Sequence, residues 1–147
     1  MDLNDTLAVS VSALDAQRHR LNVIASNLAN AQSTHSENGG PYKRRDVVFE
    51  ATPVVPRFQG ALKEAQGQNF KLTGVRVAKV IEDAKPGKVV YEPQHPDADP
   101  QGFVQMPNVN VMEEMINMMS AHRAYEANVE AVTTGRTMWL KALEIGR

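Results

Sequence analysis

Apolar residues recur every seventh position near both ends of the chain. The first series is Leu7, Leu14, Leu21 and Leu28, and the second is Met118, Tyr125, Val132 and Trp139. A seven-residue repeat places its members along one side of an α-helix, where another helix must cover them. The pattern therefore predicts two long helices whose apolar stripes are buried by helical neighbours.

The first helix is predicted over about residues 4–31, and the second begins near Val111. Asn110 and Glu113 form a capping-box pattern at that start. At 1.5 Å per residue the helices would be roughly 40 and 50 Å long, which favours pairing side by side. The prediction is a mainly α protein in which the N- and C-terminal helices pair as an antiparallel coiled coil. The helical core takes residues 1–35 and 108–147, around a middle loop and β-hairpin segment, 36–107.

The middle segment is irregular, because all eight prolines lie between Pro41 and Pro107. A strand is predicted at residues 42–50, and helical turns are predicted at 58–65. Residues 74–92 predict a β-hairpin, since β-branched runs flank the turn signal at residues 85–88. Residues 103–106 predict a short edge strand.

Composition removes several classes of function. The chain has 147 residues, a net charge of −1 and no cysteine. Disulfide scaffolds, thiolate zinc sites and cysteine nucleophiles are excluded, and no overall field attracts nucleic acid. The first residues lack the basic and apolar regions of a cleaved secretory signal. No run of eighteen apolar residues predicts membrane insertion.

Candidate chemistry is weak, so no catalytic residue, cofactor or metal is predicted. Residues 97–102 imitate the start of a calcium loop, but Asn108 stands where such loops need glutamate. His122 and Glu126 have a metal-chelating spacing, although an ion pair or interface contact explains it better. Residues 43–45 are basic and could bind phosphate, yet the net charge argues against this. An enzyme is thus the weakest class.

The two stripes predict an assembly interface with neighbouring subunits. Ser10 and Gln17 interrupt the first stripe, so a monomer would be marginally stable and neighbours would supply the remaining burial. The predicted interface residues are Leu7, Leu14, Leu21, Ile24, Leu28, Met115, Met118, Tyr125, Val129, Val132 and Trp139.

Long segments of both helices resemble bacterial flagellar axial proteins, the rod, hook and hook-associated subunits. Residues 12–17 and 20–31 resemble the N-terminal signature of that family, and residues 107–115 and 120–129 resemble its C-terminal signature. Within this family, the short length of the chain resembles that of the proximal-rod subunits. Several segments of the middle region resemble the same subunits: 39–45, 47–49, 89–93, 95–96 and 98–99. The matching motif residues are Asn22, Ser26, Asn27, Asn30, Asn110, Glu114, Arg123, Glu126 and Asn128.

The resemblance implies a structural role in flagellum-dependent motility. It implies a subunit that polymerises helically into the proximal rod of the basal body, a drive shaft that crosses the periplasm and transmits motor torque. Implied partners are copies of itself, other rod subunits, and components of the basal-body base and export apparatus. Export would use the flagellar type III route without a cleaved signal.

One alternative class stays open on the residues alone. A soluble helical adaptor or export chaperone could also carry two long amphipathic helices. That protein would be a stable, compact monomer or dimer in the cytoplasm, whereas a rod subunit would need its neighbours.

Overall fold

The computed structural model describes residues 3–36, 39–54 and 73–145, with side chains from Thr6 onward. Along the described residues, one helix is followed by four strands and then by a second helix, which agrees with the predicted mainly α class. The elements are α1 (Leu3–Ala29), β1 (Arg45–Pro53), β2 (Thr73–Glu82), β3 (Val89–Tyr91), β4 (Phe103–Gln105) and α2 (Val111–Ile145). The helical turns predicted at 58–65 lie outside the described residues.

Both helices agree with the bounds that the sequence predicts. The amide of Asn30 donates to Ser26 O at 3.1 Å, and the amide of Ala31 donates to Leu28 O at 3.3 Å, so α1 ends in a tightened turn. At the start of α2, Asn110 Oδ1 accepts the amide hydrogen of Met112 at 3.2 Å. This bond satisfies a first-turn amide that has no partner inside the helix.

The predicted hairpin over residues 74–92 is wrong. The strands form two separate pairs, β1 with β2 and β3 with β4. Arg45 lies beside Glu82, and Arg76 lies beside Glu50, so β1 and β2 run in opposite directions. In the second pair, Val90 lies opposite Val104.

Contacts with residues 106–108 explain why the turn signal does not close a hairpin. Gly87 lies so close to Met106 O that a Cβ atom would not fit. Asn108 Nδ2 donates to the carbonyl oxygens of Lys85 at 3.1 Å and Asp83 at 3.3 Å. The turn segment is therefore held against these residues, and β3 pairs with β4, the edge strand predicted at 103–106.

The chain divides into two compact units. In its described residues, the first contains 3–19, 49–54, 73–78 and 122–145, and the second contains 20–36, 39–48 and 79–121. Inside the first unit, Ser12 Oγ accepts the amide hydrogen of Val75 at 3.1 Å. A Cβ atom on Gly135 would lie 3.3 Å from Leu7 Cδ2. Close packing in this unit thus depends on small residues.

The buried apolar set of the described residues is small. It consists of Ala16, Ile24, Tyr42, Val104 and Ala121. Many larger apolar side chains of α2 are exposed instead. No helix within the described ranges combines the length and apolar character needed to span a membrane.

Candidate functional site

Two polar side chains are completely buried where α1 ends and α2 begins. Asn27 and Glu114 are both 0% exposed, and Asn27 Nδ2 donates to Glu114 Oε2 at 2.9 Å. Burying a polar group is costly unless hydrogen bonds replace its contacts with water. The surroundings of this pair must therefore supply those bonds.

The Asn27 amide uses all four of its hydrogen-bonding positions. Its Oδ1 accepts the hydroxyl of Tyr42 and the amide of Arg45, both at 2.9 Å. Its Nδ2 donates to Arg45 O at 2.7 Å and to Glu114. Since Arg45 is the first residue of β1, this one side chain holds the end of α1 against the start of the strand.

The Glu114 carboxylate is paired with Arg44. Arg44 Nε donates to Glu114 Oε1 at 2.8 Å, and its Nη1 donates to Asp46 Oδ2 at 3.3 Å. Partial burial of Arg44 lowers its pKa, because the charged form loses contact with water. The hydrogen bond and negative charge of Glu114, and then those of Asp46, outweigh this effect, so the pKa of Arg44 is raised. The guanidinium is therefore charged throughout the physiological range, and the buried carboxylate has a permanent counter-charge.

Asn108 connects this pair to the loop before α2. Its Oδ1 accepts the amide hydrogen of Arg44 at 2.7 Å, while its Nδ2 donates to the turn at residues 83–85. We call Asn27, Tyr42, Arg44, Asn108 and Glu114 the polar cluster. It joins both helices, the start of β1 and the turn after β2.

The polar cluster has the geometry of a structural joint. Its carboxylate has no open face, since Arg44 and Asn27 each occupy one oxygen. A polar cavity of about 430 Å³ lies beside it, lined in part by Ser26, Asn30 and Lys43. Within the described ranges, no group of histidine and carboxylate side chains could hold a metal ion.

The fully buried residues of α2 are small or polar, and those half-buried beside them are mixed in character. Glu114, Ala121 and Gly135 are buried, and Met118, Asn128 and Val132 are half-buried. Larger apolar residues lie exposed in two groups. The first, the methionine row, is Met112, Met115, Ile116 and Met119. The second, the C-terminal row, is Met138, Trp139, Leu140, Leu143 and Ile145.

The residues of the predicted interface fall into three classes of exposure. Ile24 is buried, whereas Met115, Val129 and Trp139 are exposed. The others are half-buried: Leu7, Leu14, Leu21, Leu28, Met118, Tyr125 and Val132. Their role in assembly remains a prediction.

The two polar interruptions of the first stripe lie on the protected side of α1. Ser10 is buried and donates from its hydroxyl to Thr6 O at 3.1 Å. Gln17 is half-buried, and its Oε1 lies buried without a hydrogen-bond partner among the described residues. These side chains thus belong to the packed surface that they were expected to interrupt.

Five of the motif residues lie in or beside the polar cluster. Asn27 and Glu114 are members; the Ser26 hydroxyl lies 3.4 Å from that of Tyr42, and Asn30 and Asn110 belong to the adjoining helix ends. The structure places the other four elsewhere. They are the exposed Asn22 and Arg123, Glu126, which lies 3.5 Å from His122, and Asn128, which donates to Ala124 O.

The weak chemical candidates have structural partners. Asp97 accepts the Thr34 hydroxyl at 2.7 Å. The basic run at residues 43–45 is partly neutralised, because Arg44 pairs with Glu114 and Arg45 with Glu82. Sequence reasoning missed Tyr42, Arg44 and Asn108 as partners of the motif residues. The one available signal for Arg44 was its position in a basic run, which suggested a different role.

Comparison with known proteins finds two matching families and several full-length relatives. A model of flagella basal body rod proteins matches residues 7–35, and one of the flagellar basal body rod FlgEFG protein C-terminal region matches residues 101–145. The flagellar basal-body rod protein FlgC of Escherichia coli O157:H7 is 46% identical over 147 residues, covering 100% of both chains.

Two more distant bacteria carry similar proteins of the same name. The Bacillus subtilis protein is 42% identical over 147 residues, covering 97% of both chains. The Borreliella burgdorferi protein is 39% identical over 149 residues, covering 99% of this chain and 98% of its own. The likeness therefore extends over nearly the whole length of each chain.

Proposed function

We infer function from one premise: this chain belongs to the FlgC family of flagellar basal-body rod proteins. It is a structural subunit of the rod and not an enzyme. We propose that it polymerises helically within the proximal rod, which crosses the periplasm and transmits motor torque. The exposed apolar rows of α2 are the observation that supports polymerisation most directly.

Those rows place large apolar side chains in contact with solvent. Met112, Ile116 and Trp139 are 67%, 62% and 56% exposed. Fully burying a side chain of this kind contributes about 1.5–3 kcal/mol, and contiguous apolar surface commonly marks an interface. Neighbouring subunits that cover the rows would therefore stabilise the assembled state strongly.

The two helices are proposed to pair in antiparallel fashion inside the subunit. The early residue Leu7 packs against the late residue Gly135 in the first unit. In the second unit, Asn27 near the end of α1 bonds Glu114 in the first turn of α2. These two contacts support opposite helix directions, and the interface residues named from the sequence would lie along this pair and its neighbours.

The proposed partners are copies of this chain, other rod subunits, and components of the basal-body base and the export apparatus. Transmission of torque favours such an assembly, because many heterologous contacts repeated along a helix can share the load.

A charge within the α1 stripe tests polymerisation. Leu21→Asp would place an unpaired charge in a half-buried position, where desolvation is costly, so we expect loss of motility and of the chain from purified basal bodies. The control is Asn22→Asp, which adds the same charge at the adjacent exposed position. Normal swimming by Leu21→Asp cells would contradict the proposal.

Solution measurements separate a rod subunit from a helical adaptor. Circular dichroism and analytical ultracentrifugation would be made on the full chain at increasing concentration. A rod subunit should gain helicity or mass as its apolar rows become covered. A compact dimer whose size and helicity stay constant would favour the adaptor.

A further inference from the structure

The β3–β4 pair has one buried face and one exposed apolar face. Val104 points into the protein and is 1% exposed, and its partner Val90 is half-buried. Side chains alternate between faces along a strand, so Val89, Tyr91 and Phe103 share the opposite face. These three are exposed. We call them the aromatic face.

The aromatic face is held in a fixed shape. Tyr91 lies opposite Phe103 in the strand register, and their ring centroids are 5.3 Å apart in an edge-to-face arrangement. Gly102 has a φ of +81°, and a Cβ atom there would lie 2.8 Å from Tyr91 Cε2. Because Gly102 has no side chain, the Tyr91 ring can pack directly beside the backbone at that position.

A rigid exposed pair of aromatic rings is well suited to protein binding. Aromatic side chains offer a large contact area at a low cost in conformational entropy, and they are common among the residues that dominate interface energies. Among the described residues this face is left largely uncovered, since Val89 and Tyr91 are each 64% exposed and Phe103 is 42% exposed. An external partner therefore explains the arrangement.

We propose that the aromatic face binds the methionine row of a second copy of this chain, a proposal that rests on the rod function above. The row occupies positions i, i+3, i+4 and i+7 of α2, which form one stripe along a helix. Its residues are exposed as well. Thioether groups pack favourably against aromatic rings and adapt to their edges, so the two surfaces match in chemistry.

Charges beside the two surfaces are complementary. Lys88 precedes β3, and Glu113 lies next to Met112 in the first turn of α2. Both are exposed, and among the described residues neither has an ion-pair partner in its own chain. An aromatic face seated on the row of the next copy could bring these opposite charges together at the rim of the contact.

The contact joins two different surfaces, so it does not close on itself. A heterologous contact leaves one free surface of each kind on every pair of subunits, and its repetition produces a helical array. The middle segment would thereby take part directly in rod assembly, in addition to the helices.

Cysteine cross-linking tests the contact, because the chain contains no cysteine of its own. Cells would co-express Val89→Cys and Ile116→Cys variants, and their basal bodies would be treated with a short bis-maleimide. We expect a cross-linked dimer of the chain only when both variants are present. The matched control pairs Ile116→Cys with Val80→Cys, which is exposed on β2, and should give no dimer.

Each other result overturns the proposal in a recognisable way. Absence of the dimer from basal bodies that contain both variants rejects the contact while leaving the rod function intact. A cross-link from Val89→Cys to a different protein rejects a second copy as the occupant. Absence of the unmodified chain from basal bodies rejects the rod function itself, and this inference with it.

Charge exchange gives an independent readout. Lys88→Glu and Glu113→Lys should each lower the yield of the cysteine cross-link by about two- to five-fold, as expected for an exposed ion pair. The double exchange should restore that yield. Losses that simply accumulate in the double variant would show that the two charges do not meet.

Discussion

The two ends of α2 differ in how their side chains are satisfied. In its first turn, Glu114 is completely buried and bonded to Arg44 and Asn27. In its last two turns, Trp139 and Leu143 are 56% and 55% exposed. The first turn therefore contains a polar side chain whose partners all lie within the chain, whereas the last two turns leave large apolar side chains exposed.

This difference indicates that polar and apolar residues have different roles in the subunit. A buried ion pair adds little net stability, but its directional bonds can specify one arrangement of the groups around it. Apolar burial is non-directional and contributes most of the free energy of association. We infer that the polar cluster fixes how the end of α1 meets the start of α2, while the exposed rows drive contact with neighbours.

Removing the Glu114 carboxylate should have the largest effect on the isolated chain. Glu114→Ala leaves Arg44 and the Asn27 amide without their shared partner, and breaking a buried pair in this way costs about 3–5 kcal/mol. The free energy of unfolding would be measured by urea titration followed by circular dichroism. Glu113→Ala is the matched control, because that adjacent carboxylate is exposed. Equal effects of the two substitutions would refute the role of the cluster.

Changing Asn27 to an acid should be the next most damaging substitution. Asn27→Asp keeps the shape of the side chain but puts a second carboxylate where Nδ2 now lies 2.9 Å from Glu114 Oε2. We expect a loss of about 2–3 kcal/mol at neutral pH, within the usual range for an unsatisfied buried polar group. Asn22→Asp, on the exposed side of the same helix, should lose less than about 0.5 kcal/mol.

The loss caused by Asn27→Asp should depend on pH. Repulsion by Glu114 would raise the pKa of the introduced carboxyl in the folded state, so the folded protein binds its proton more tightly than the unfolded chain. The penalty is then fully present above the folded pKa and disappears as pH falls below the unfolded value. Unfolding titrations across pH 4–8 would check this, and a penalty that grows on acidification would contradict it.

The sequence predicted those features that depend on local pattern. Apolar periodicity gave both helices, and the Asn110 cap gave the start of α2 at Val111. The polar cluster could not be predicted in the same way, because its bonds join residues 70 and 87 positions apart. Arg44 stood in a basic run, and Glu114 stood in the first turn of a predicted helix, where the helix dipole favours an acidic residue. Each therefore had a sufficient local explanation. The hairpin prediction was wrong for a related reason, because contacts with residues 106–108, distant in the sequence, determine that β3 pairs with β4 and not with β2.

Truncating Trp139 should change assembly much more than stability. Because its side chain is 56% exposed, Trp139→Ala should lower the free energy of unfolding of the monomer by less than about 1 kcal/mol. Recovery of the chain in basal bodies should nevertheless fall sharply. Ala16→Gly serves as the contrast, since Ala16 is buried in the subunit and is not among the predicted interface residues. Normal incorporation of Trp139→Ala would exclude this part of the C-terminal row from the interface.

Breaking the exposed ion pair between Arg76 and Glu50 should lower the free energy of unfolding least. Comparison with the buried pair then shows how much burial contributes. Its nitrogen and oxygen lie 2.9 Å apart, close to the 2.8 Å of the Arg44–Glu114 pair. Solvent screens the exposed pair, so Glu50→Gln should cost only about 0.3 kcal/mol, and 0.5 M salt should remove even that difference. Unfolding titrations of Glu50→Gln and Glu114→Gln at low and high salt would compare the two pairs directly. If Glu50→Gln proved as damaging as Glu114→Gln, ion-pair distance and not burial would account for the strength of the polar cluster.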